Sequence, residues 1–407
     1  MTPRWIRLRR RFAFPVLKRE IRGLYLKLRN KLTGRYLRAF HVPARTDTSR
    51  GTALISFWVD AFLLPPGKPI PVGHTHFWES RQIAYTWAEL GFDTDIIHWT
   101  NRKFVPSKKY DVFVDVRVNM ERLAPLLGDD CLRIQHIETG HHRFHNAAQQ
   151  QRLDEIEKRR GVRLRPFKLI AENRAIETAH YGTTTGNAFT IGTYAHAGRT
   201  IHRVGISTPY LFPSPENKDF EACRRRWLWF GSSGLVHKGL DLVLEAFVGM
   251  PDHELVVCAP VDGERDFEKE YEQELYGTPN IRMMGWIDNG SPAFQAVIDS
   301  CVGLCYPSCS EGGGGSVIVC QHAGLIPLIT YETSVDVHDF GELMDDISIE
   351  GIRRHVRAMS DRPAEELRAL ALKAWNHARE HHSREKFTQG YRTAAETILR
   401  DWEARKG

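Results

Sequence analysis

From residue 52 onward, short apolar runs alternate with stretches in which apolar residues recur every three or four positions. The first pattern is that of a strand buried on both faces, the second that of an amphipathic helix. Thr52–Val59, Asp95–Trp99, Tyr110–Val116, Leu132–Ile137 and Lys168–Ala171 read as strands, and Trp78–Leu90 as a helix that Gly91 stops. The stretch Thr208–Glu216 carries three prolines and cannot be a regular element. Beyond it the alternation restarts. Strands are predicted at Trp227–Phe230, Glu254–Ala259, Ile281–Trp286, Val302–Tyr306 and Ile326–Tyr331. Helices are predicted at Leu240–Val248, Phe267–Tyr276, Ala293–Ser300 and Ser316–Ala323, and the remaining C-terminal residues are mostly helical.

Alternating strands and helices imply parallel sheets covered on both faces. Two such runs joined by one linker predict an α/β chain of two Rossmann-like domains facing a central cleft. Ligands in such sheets bind beyond the carboxyl ends of the strands. The expected division is an arm over 1–45, domains over 46–215 and 216–380, and a C-terminal helix over 381–407 that returns to the first domain.

Charge changes the picture at the N-terminus only. Residues 1–38 hold thirteen Lys/Arg against one acid, Glu20, or +12, so the rest of the chain carries −6 of the +6 total. Leu17, Ile21, Leu24, Leu28 and Leu32 line one face of a predicted helix over 16–36, with Lys and Arg elsewhere. A basic arm on an acidic body suits an anionic membrane surface, or packing on its own protein, better than nucleic acid. No run of eighteen apolar residues exists, and the N-terminus lacks an apolar signal core. The seven cysteines show no disulfide framework and read as buried thiols of a reducing cytoplasm.

Two segments carry chemistry. In Pro307-Ser-Cys-Ser-Glu-Gly-Gly-Gly-Gly-Ser316 a strand ends, Glu311 appears, Gly312, Gly313, Gly314 and Gly315 follow, and a helix opens at Ser316. Glycines let a ligand approach the backbone, and the helix start offers free N–H groups and partial positive charge. Glu311 can accept hydrogen bonds from sugar hydroxyls. In Gly231-Ser-Ser-Gly-Leu-Val-His-Lys-Gly239 a strand runs through Ser232 and Ser233 to Lys238 at another helix start, a natural partner for a diphosphate.

These segments resemble the family 4 glycosyltransferases, retaining enzymes of the GT-B fold. Val236-His-Lys-Gly239 matches the family's lysine turn, Ser310-Glu-Gly-Gly-Gly314 its first glutamate, and Ala323–Ile329 its Gly-x-Pro strand. The resemblance is specific over about 227–331 and looser over 52–215. Ser233 stands where the family has an arginine, and Val319 where it has a second glutamate. Those two residues hold the diphosphate and the ribose in the family. Members with a Gly/Ser-rich first turn look like those of bacterial surface-polysaccharide pathways.

The resemblance implies a donor site of Ser232, Ser233, Lys238, Glu311, Gly312, Gly313, Gly314, Gly315 and Ser316 in the second domain. The first domain would serve the acceptor. Gly73 in the loop Gly73-His-Thr-His-Phe-Trp-Glu-Ser80 would face the donor phosphates, while His74 and His76 read as helix-entry residues. A histidine near the donor sugar is expected from Ile134–Asn146, where His142, His141 and His136 compete in that order. The histidines there and Glu138 also admit a zinc reading. Asp93-Thr-Asp95 looks like a metal–nucleotide motif but sits where a helix exit meets a strand, and the family needs no metal. His377 and His381 read as a solvated helix face.

The expected activity is thus a retaining transfer from a nucleotide-diphosphate sugar, as co-substrate, to a glycan or lipid-linked acceptor. The catalytic set is Lys238, Glu311 and His142, with no metal and no other cofactor. The expected location is the cytoplasm, at the inner face of the membrane if the arm binds there. Alternatives are an epimerase, a phosphorylase, or an inactive scaffold of a polysaccharide complex.

Overall fold

The computed structural model describes residues 34–72 and 74–406. The helix expected over 16–36 lies outside them, apart from its last three residues, which belong to a turn and the 3₁₀ helix Arg35–Leu37. Seven strands form the first sheet: β1 (Ala39–Val42), β2 (Gly51–Phe57), β3 (Phe92–His98), β4 (Val112–Asp115), β5 (Leu132–Ile137), β6 (Tyr181–Thr184) and β7 (Thr200–Arg203). Their order is β1-β3-β2-β4-β5-β6-β7, all parallel except β1. Ile55 lies between Ile96 and Val114 in register, an aliphatic row across the centre of the sheet, while the next row carries the buried polar Ser56, Asp115 and Gln135.

β1 falls within the segment read as arm, which therefore ends before residue 39. It is held by the Asp93-Thr-Asp95 motif. Asp93 accepts from Ala44 N at 3.1 Å, and Asp95 pairs with His41 at 2.9 Å and accepts from the Tyr110 hydroxyl at 2.6 Å. These carboxylates fasten an edge strand.

The second sheet comprises β8 (Arg226–Phe230), β9 (Glu254–Cys258), β10 (Ile281–Met283), β11 (Gly303–Tyr306), β12 (Ile326–Ile329) and β13 (Glu342–Leu343). All are parallel, in the order β10-β9-β8-β11-β12-β13. The order reverses between β8 and β11, the place where such sheets bind ligands. Trp227 and Trp229 of β8 are fully buried, and their indole N–H groups donate to Ser360 Oγ and the Lys238 carbonyl. All seven cysteines are free and buried.

Three segments depart from the sequence reading. Lys168–Ala171 is not a strand: β6 occupies the place beside β5, and Asn146 satisfies the Ile170 backbone through both its amide atoms at 2.8 and 2.9 Å. The helix expected at Phe267–Tyr276 is two, Arg265–Glu270 and Glu272–Gly277, broken at Tyr271. The segment after β5, expected as a loop to residue 146, becomes the helix His142–Arg160. That helix belongs to the first domain by sequence but docks on the second. Arg152 donates to the Pro307 carbonyl at 2.9 Å, Arg159 pairs with Asp241 at 2.8 Å, and Arg160 with Glu270 and Glu274 at 2.7 and 2.8 Å.

The chain crosses between domains twice. The linker 204–225 leads out, and the helix Arg384–Lys406 returns to lie against the helix Thr75–Glu89, with Trp87 Nε1 donating to the Tyr391 hydroxyl at 3.2 Å. The linker is fixed by Glu79, fully buried, whose Oε1 accepts from Ser207 N and Ser207 Oγ at 2.9 and 2.8 Å. Burial pushes the Glu79 carboxyl up to about 7.

The folded state therefore holds this proton more tightly than the unfolded chain, where the carboxyl ionises near pH 4.5. Its contribution to stability is full below that pH and is lost as pH rises through 7. Glu79→Gln keeps the acceptor for Ser207 and removes the charge. Denaturant unfolding should give equal stabilities near pH 5 and a variant more stable by roughly 2–3 kcal/mol at pH 8–9. A difference that does not change with pH would contradict this assignment.

Candidate functional site

A cleft of about 460 Å³ opens between the carboxyl ends of the two sheets. From the second domain it is lined by the turns after β8 and β11, which grip each other. The Cys309 N–H donates to the His237 carbonyl at 2.9 Å, and His237 Nε2 bonds the Ser310 carbonyl. The turn after β8 is also anchored from behind, because Gly234 and Leu235 N–H donate to the buried Glu264 carboxylate.

These contacts bring Lys238 and Glu311 together. Lys238, only 6% exposed, sets its Nζ 3.2 Å from Ser232 Oγ and 3.8 Å from Glu311 Oε1. Burial lowers the lysine pKa against the opposing pull of Glu311. Burial would raise the glutamate, but Lys238, with His237 and Lys168 behind it, overcomes that and holds the carboxyl below its usual range. Tyr306 OH and Ser308 Oγ donate to Glu311 Oε1 at 3.2 and 3.3 Å. A buried ammonium facing a half-buried carboxylate, with the pair's hydrogen bonds made, is a fixed electrostatic feature rather than a surface contact.

Beside the pair, the helix Gly315–His322 begins at Gly314, whose left-handed backbone (φ 50°) serves as N-cap without a side-chain hydrogen bond. Its first amides have no acceptor in their own helix and line the cleft at Gly315 and Ser316. Of the donor residues expected from sequence, Ser232, Lys238, Glu311, Gly312, Gly314, Gly315 and Ser316 line the cleft. Ser233 and Gly313 do not, and Gly313 turns toward Thr185 of the first domain. Gly73 lies outside the described residues. Val319 is on the cleft wall.

The histidine expectation needs correction. His136, His141 and His142 are buried and do not line the cleft; His141 and His142 line a small pocket beside it that shares Arg117, Glu138 and Thr139 with the cleft. His136 bonds Thr183 Oγ1 at 2.9 Å, and the His141 and His142 rings lie 4.1 Å apart, tilted by 45°. The reason is the helix start at His142, which turns that side chain back into the first domain. His74, His76 and His145 line the cleft instead. His145 Nε2 faces the Lys168 carbonyl at 2.8 Å, so it carries the proton, and Nδ1 accepts from Ser310 Oγ at 3.2 Å. His145 thus pins the two domains. His76 stands 3.6 Å from Glu138, and burial pushes its pKa down to about 3, which keeps it neutral.

Lys168, Arg117 and Glu138 also line the cleft and were not identified from sequence as cleft residues. Arg117 donates to Glu138 at 2.9 Å. Lys168 lies across the turn after β8, where a Cβ on Gly234 would meet its Cγ at 2.6 Å. No motif marks Lys168; only the docking of the two domains brings it there.

No protein family profile and no curated protein matches the sequence. Solved structures do match. A glycosyltransferase from Rickettsia africae superposes with a TM-score of 0.55 at 9% identity, over 87% of this chain and 99% of that one. Anabaena HepE, solved with UDP and glucose, gives 0.52 at 12% identity, over 86% and 99%. S. aureus TarM gives 0.46 at 13% identity, and the chain spans only about half of TarM's length, 54%. The likeness to the first two shows that the chain has the GT-B fold.

The closest approach of the domains falls on Gly312, where a Cβ would lie 2.3 Å from Thr139 N and 2.5 Å from the Glu138 carbonyl oxygen. At Gly315 the nearest atom is Ile206 Cδ1 at 3.5 Å. Gly312→Ala should therefore lower stability by about 1–3 kcal/mol. Gly315→Ala should leave it within about 1 kcal/mol of the parent. Urea unfolding of the two variants checks this, and equal costs would contradict the described seam.

Proposed function

We propose that the chain is a retaining glycosyltransferase of the family 4 kind. In this reading it moves a sugar from a nucleotide-diphosphate sugar to a glycan or lipid-linked acceptor in the synthesis of a cell-surface polysaccharide. The observation that carries the reading is the pair of buried Lys238 and half-buried Glu311 beside the helix start at Gly315, in the cleft of a GT-B fold.

In the proposed reaction the bond from the anomeric carbon to the diphosphate breaks and its electron pair leaves with the phosphate oxygen. The acceptor hydroxyl attacks from the same face and its proton passes to that oxygen. Lys238, Lys168 and the Gly315–Ser316 amides would stabilise the developing negative charge, a preorganised arrangement that needs no metal. Glu311 would accept hydrogen bonds from the donor sugar. Lys168 would supply the second cation that Ser233 does not. His76, neutral and beside Glu138, is the cleft histidine best suited to orient the sugar.

The tests are Lys238→Met and Glu311→Gln, with folding checked by circular dichroism. Each should lower the turnover of a UDP-sugar by at least 10²–10³-fold. UDP is the first nucleotide to try because HepE was solved with it, followed by GDP, dTDP and ADP in a thermal-shift screen. Near-parental turnover in either variant would overturn the assignment.

A second reading, an inactive scaffold, is favoured by Val319 on the cleft wall and by Ser233 outside it. It predicts no transfer and no hydrolysis with any donor while nucleotide binding persists.

Among the described residues no helix is long and apolar enough to cross a membrane. We assign the basic N-terminal segment to peripheral contact with an anionic membrane, on the cytoplasmic face that seven free buried thiols favour. Deleting residues 1–33 spares β1. It should abolish co-sedimentation with phosphatidylserine vesicles at 0.1 M salt, and retained binding would contradict the claim.

A further inference from the structure

A second cluster of chemically capable side chains lies in the first domain, behind the cleft wall: its His141 lines a small pocket that shares Arg117, Glu138 and Thr139 with the cleft. His141 precedes the helix His142–Arg160, Glu177 lies in the short helix Ala175–Thr178, and His196 in the 3₁₀ turn Ala195–Ala197. One ligand atom from each lies within 4.8 Å of the other two. His196 Nε2 is 3.3 Å from Glu177 Oε1. That is the edge of a tetrahedron whose corners stand about 2.0–2.1 Å from a central zinc ion.

The second observation is an unpartnered donor. His141 is 2% exposed, and its Nε2 has no hydrogen-bond partner. Glu177 Oε2 is buried and equally unpartnered. Buried polar atoms are normally satisfied, so an imidazole nitrogen and a carboxylate oxygen left bare in one cluster point to a missing ligand. An ordinary His196–Glu177 ion pair accounts for one oxygen and one nitrogen and leaves these two atoms unexplained. The His141 backbone is held by Thr193 Oγ1 at 2.9 Å, so the ring starts from a fixed point. His142, whose two ring nitrogens are also unpartnered, packs beside it with its ring tilted by 45°.

We propose that His141, Glu177 and His196 bind a divalent transition-metal ion of the zinc class, with water at the fourth position. Two imidazoles and one carboxylate suit zinc far better than calcium or magnesium, which take oxygen ligands. None of the three residues lines the cleft, so the ion is a brace and not part of the transfer chemistry. It ties three segments distant in sequence to the loop 138–140, which packs against Gly312 and Ser310 of the second domain. The ion would therefore stabilise the wall of the cleft from behind.

The test uses the full chain without a histidine tag, stripped with chelator, and needs no sugar donor. Zinc is titrated in competition with a chromophoric chelator, and Co(II) is used as an optical probe. The parent should bind one zinc per chain, rise in melting temperature on zinc addition, and give the intense visible bands of tetrahedral cobalt. His196→Ala and Glu177→Gln, at sites on the surface side of the cluster, should each weaken zinc at least 10²-fold and abolish those bands. His381→Ala, a distant surface histidine, should leave binding unchanged. Failure of the parent to bind zinc stoichiometrically would overturn the proposal. So would parental affinity in both cluster variants, or equal loss in His381→Ala. Activity of the transferase site affects none of these readouts.

Discussion

The geometry of the cleft depends on one close approach of two backbones. The loop 138–140 of the first domain and the turn 310–314 of the second meet where Gly140 and Gly312 carry no side chains. Ser310 Oγ occupies the space a Cβ would fill on Gly140, and the Glu138–Thr139 peptide occupies the space beside Gly312. Thr185 Oγ1 donates to the Gly312 carbonyl at 2.6 Å, and Thr190 Oγ1 to the Glu311 carbonyl at 3.1 Å. Asn187 bonds Asp336 at 2.8 Å further along the same seam. The glutamate turn is therefore held by hydrogen bonds from the opposite domain as well as by its own.

That seam explains why Lys238 can be buried against a half-buried Glu311. Each ion alone would be costly to desolvate, and the pair is tolerated because Tyr306, Ser308 and Ser232 complete its hydrogen bonds. A glycine turn free to move could not keep a carboxylate 3.8 Å from an ammonium in a half-closed cleft. An anionic ligand entering the cleft meets Lys238 and Lys168 already in position, so little reorganisation accompanies its binding.

Much of the alternation was legible because the central strands are continuous apolar runs, and in the second domain the two helices beside the cleft follow Gly239 and Gly314. Leu240–Val248 in the second domain and Leu132–Ile137 in the first match the sequence reading to the residue. The helix His142–Arg160 was not legible. Its buried positions include His142, His145, Gln149 and Arg152, with only Leu153 and Ile156 as buried apolar residues. His145 and Arg152 are buried there because they bond across the domain seam, to Ser310 and to the Pro307 carbonyl, a context that periodicity cannot reveal. The same blindness offered His142, His141 and His136 as candidates and left out His145, the one histidine of that segment that lines the cleft. β1 was hidden for a related reason. Its burial is confined to Val42, and a basic segment precedes it.

Lys168 shows how far a local motif can mislead about a missing charge. The turn after β8 has serine where the resembling family has arginine, and by sequence the diphosphate grip looks incomplete. In three dimensions Lys168 lies over Gly234 in that turn, while its own carbonyl is bonded by His145 and His145 by Ser310. The cation thus comes from the other domain, along a chain of contacts that ends in the glutamate turn. In the proposed reading this moves part of the donor site across the seam. Lys168 follows the helix His142–Arg160, whose Leu153 and Ile156, together with Leu164 beyond it, pack in the core of the second domain. The cation is therefore carried by a segment of the first half of the chain that is itself docked on the domain of Lys238 and Glu311, which is why no local motif in either half marks it.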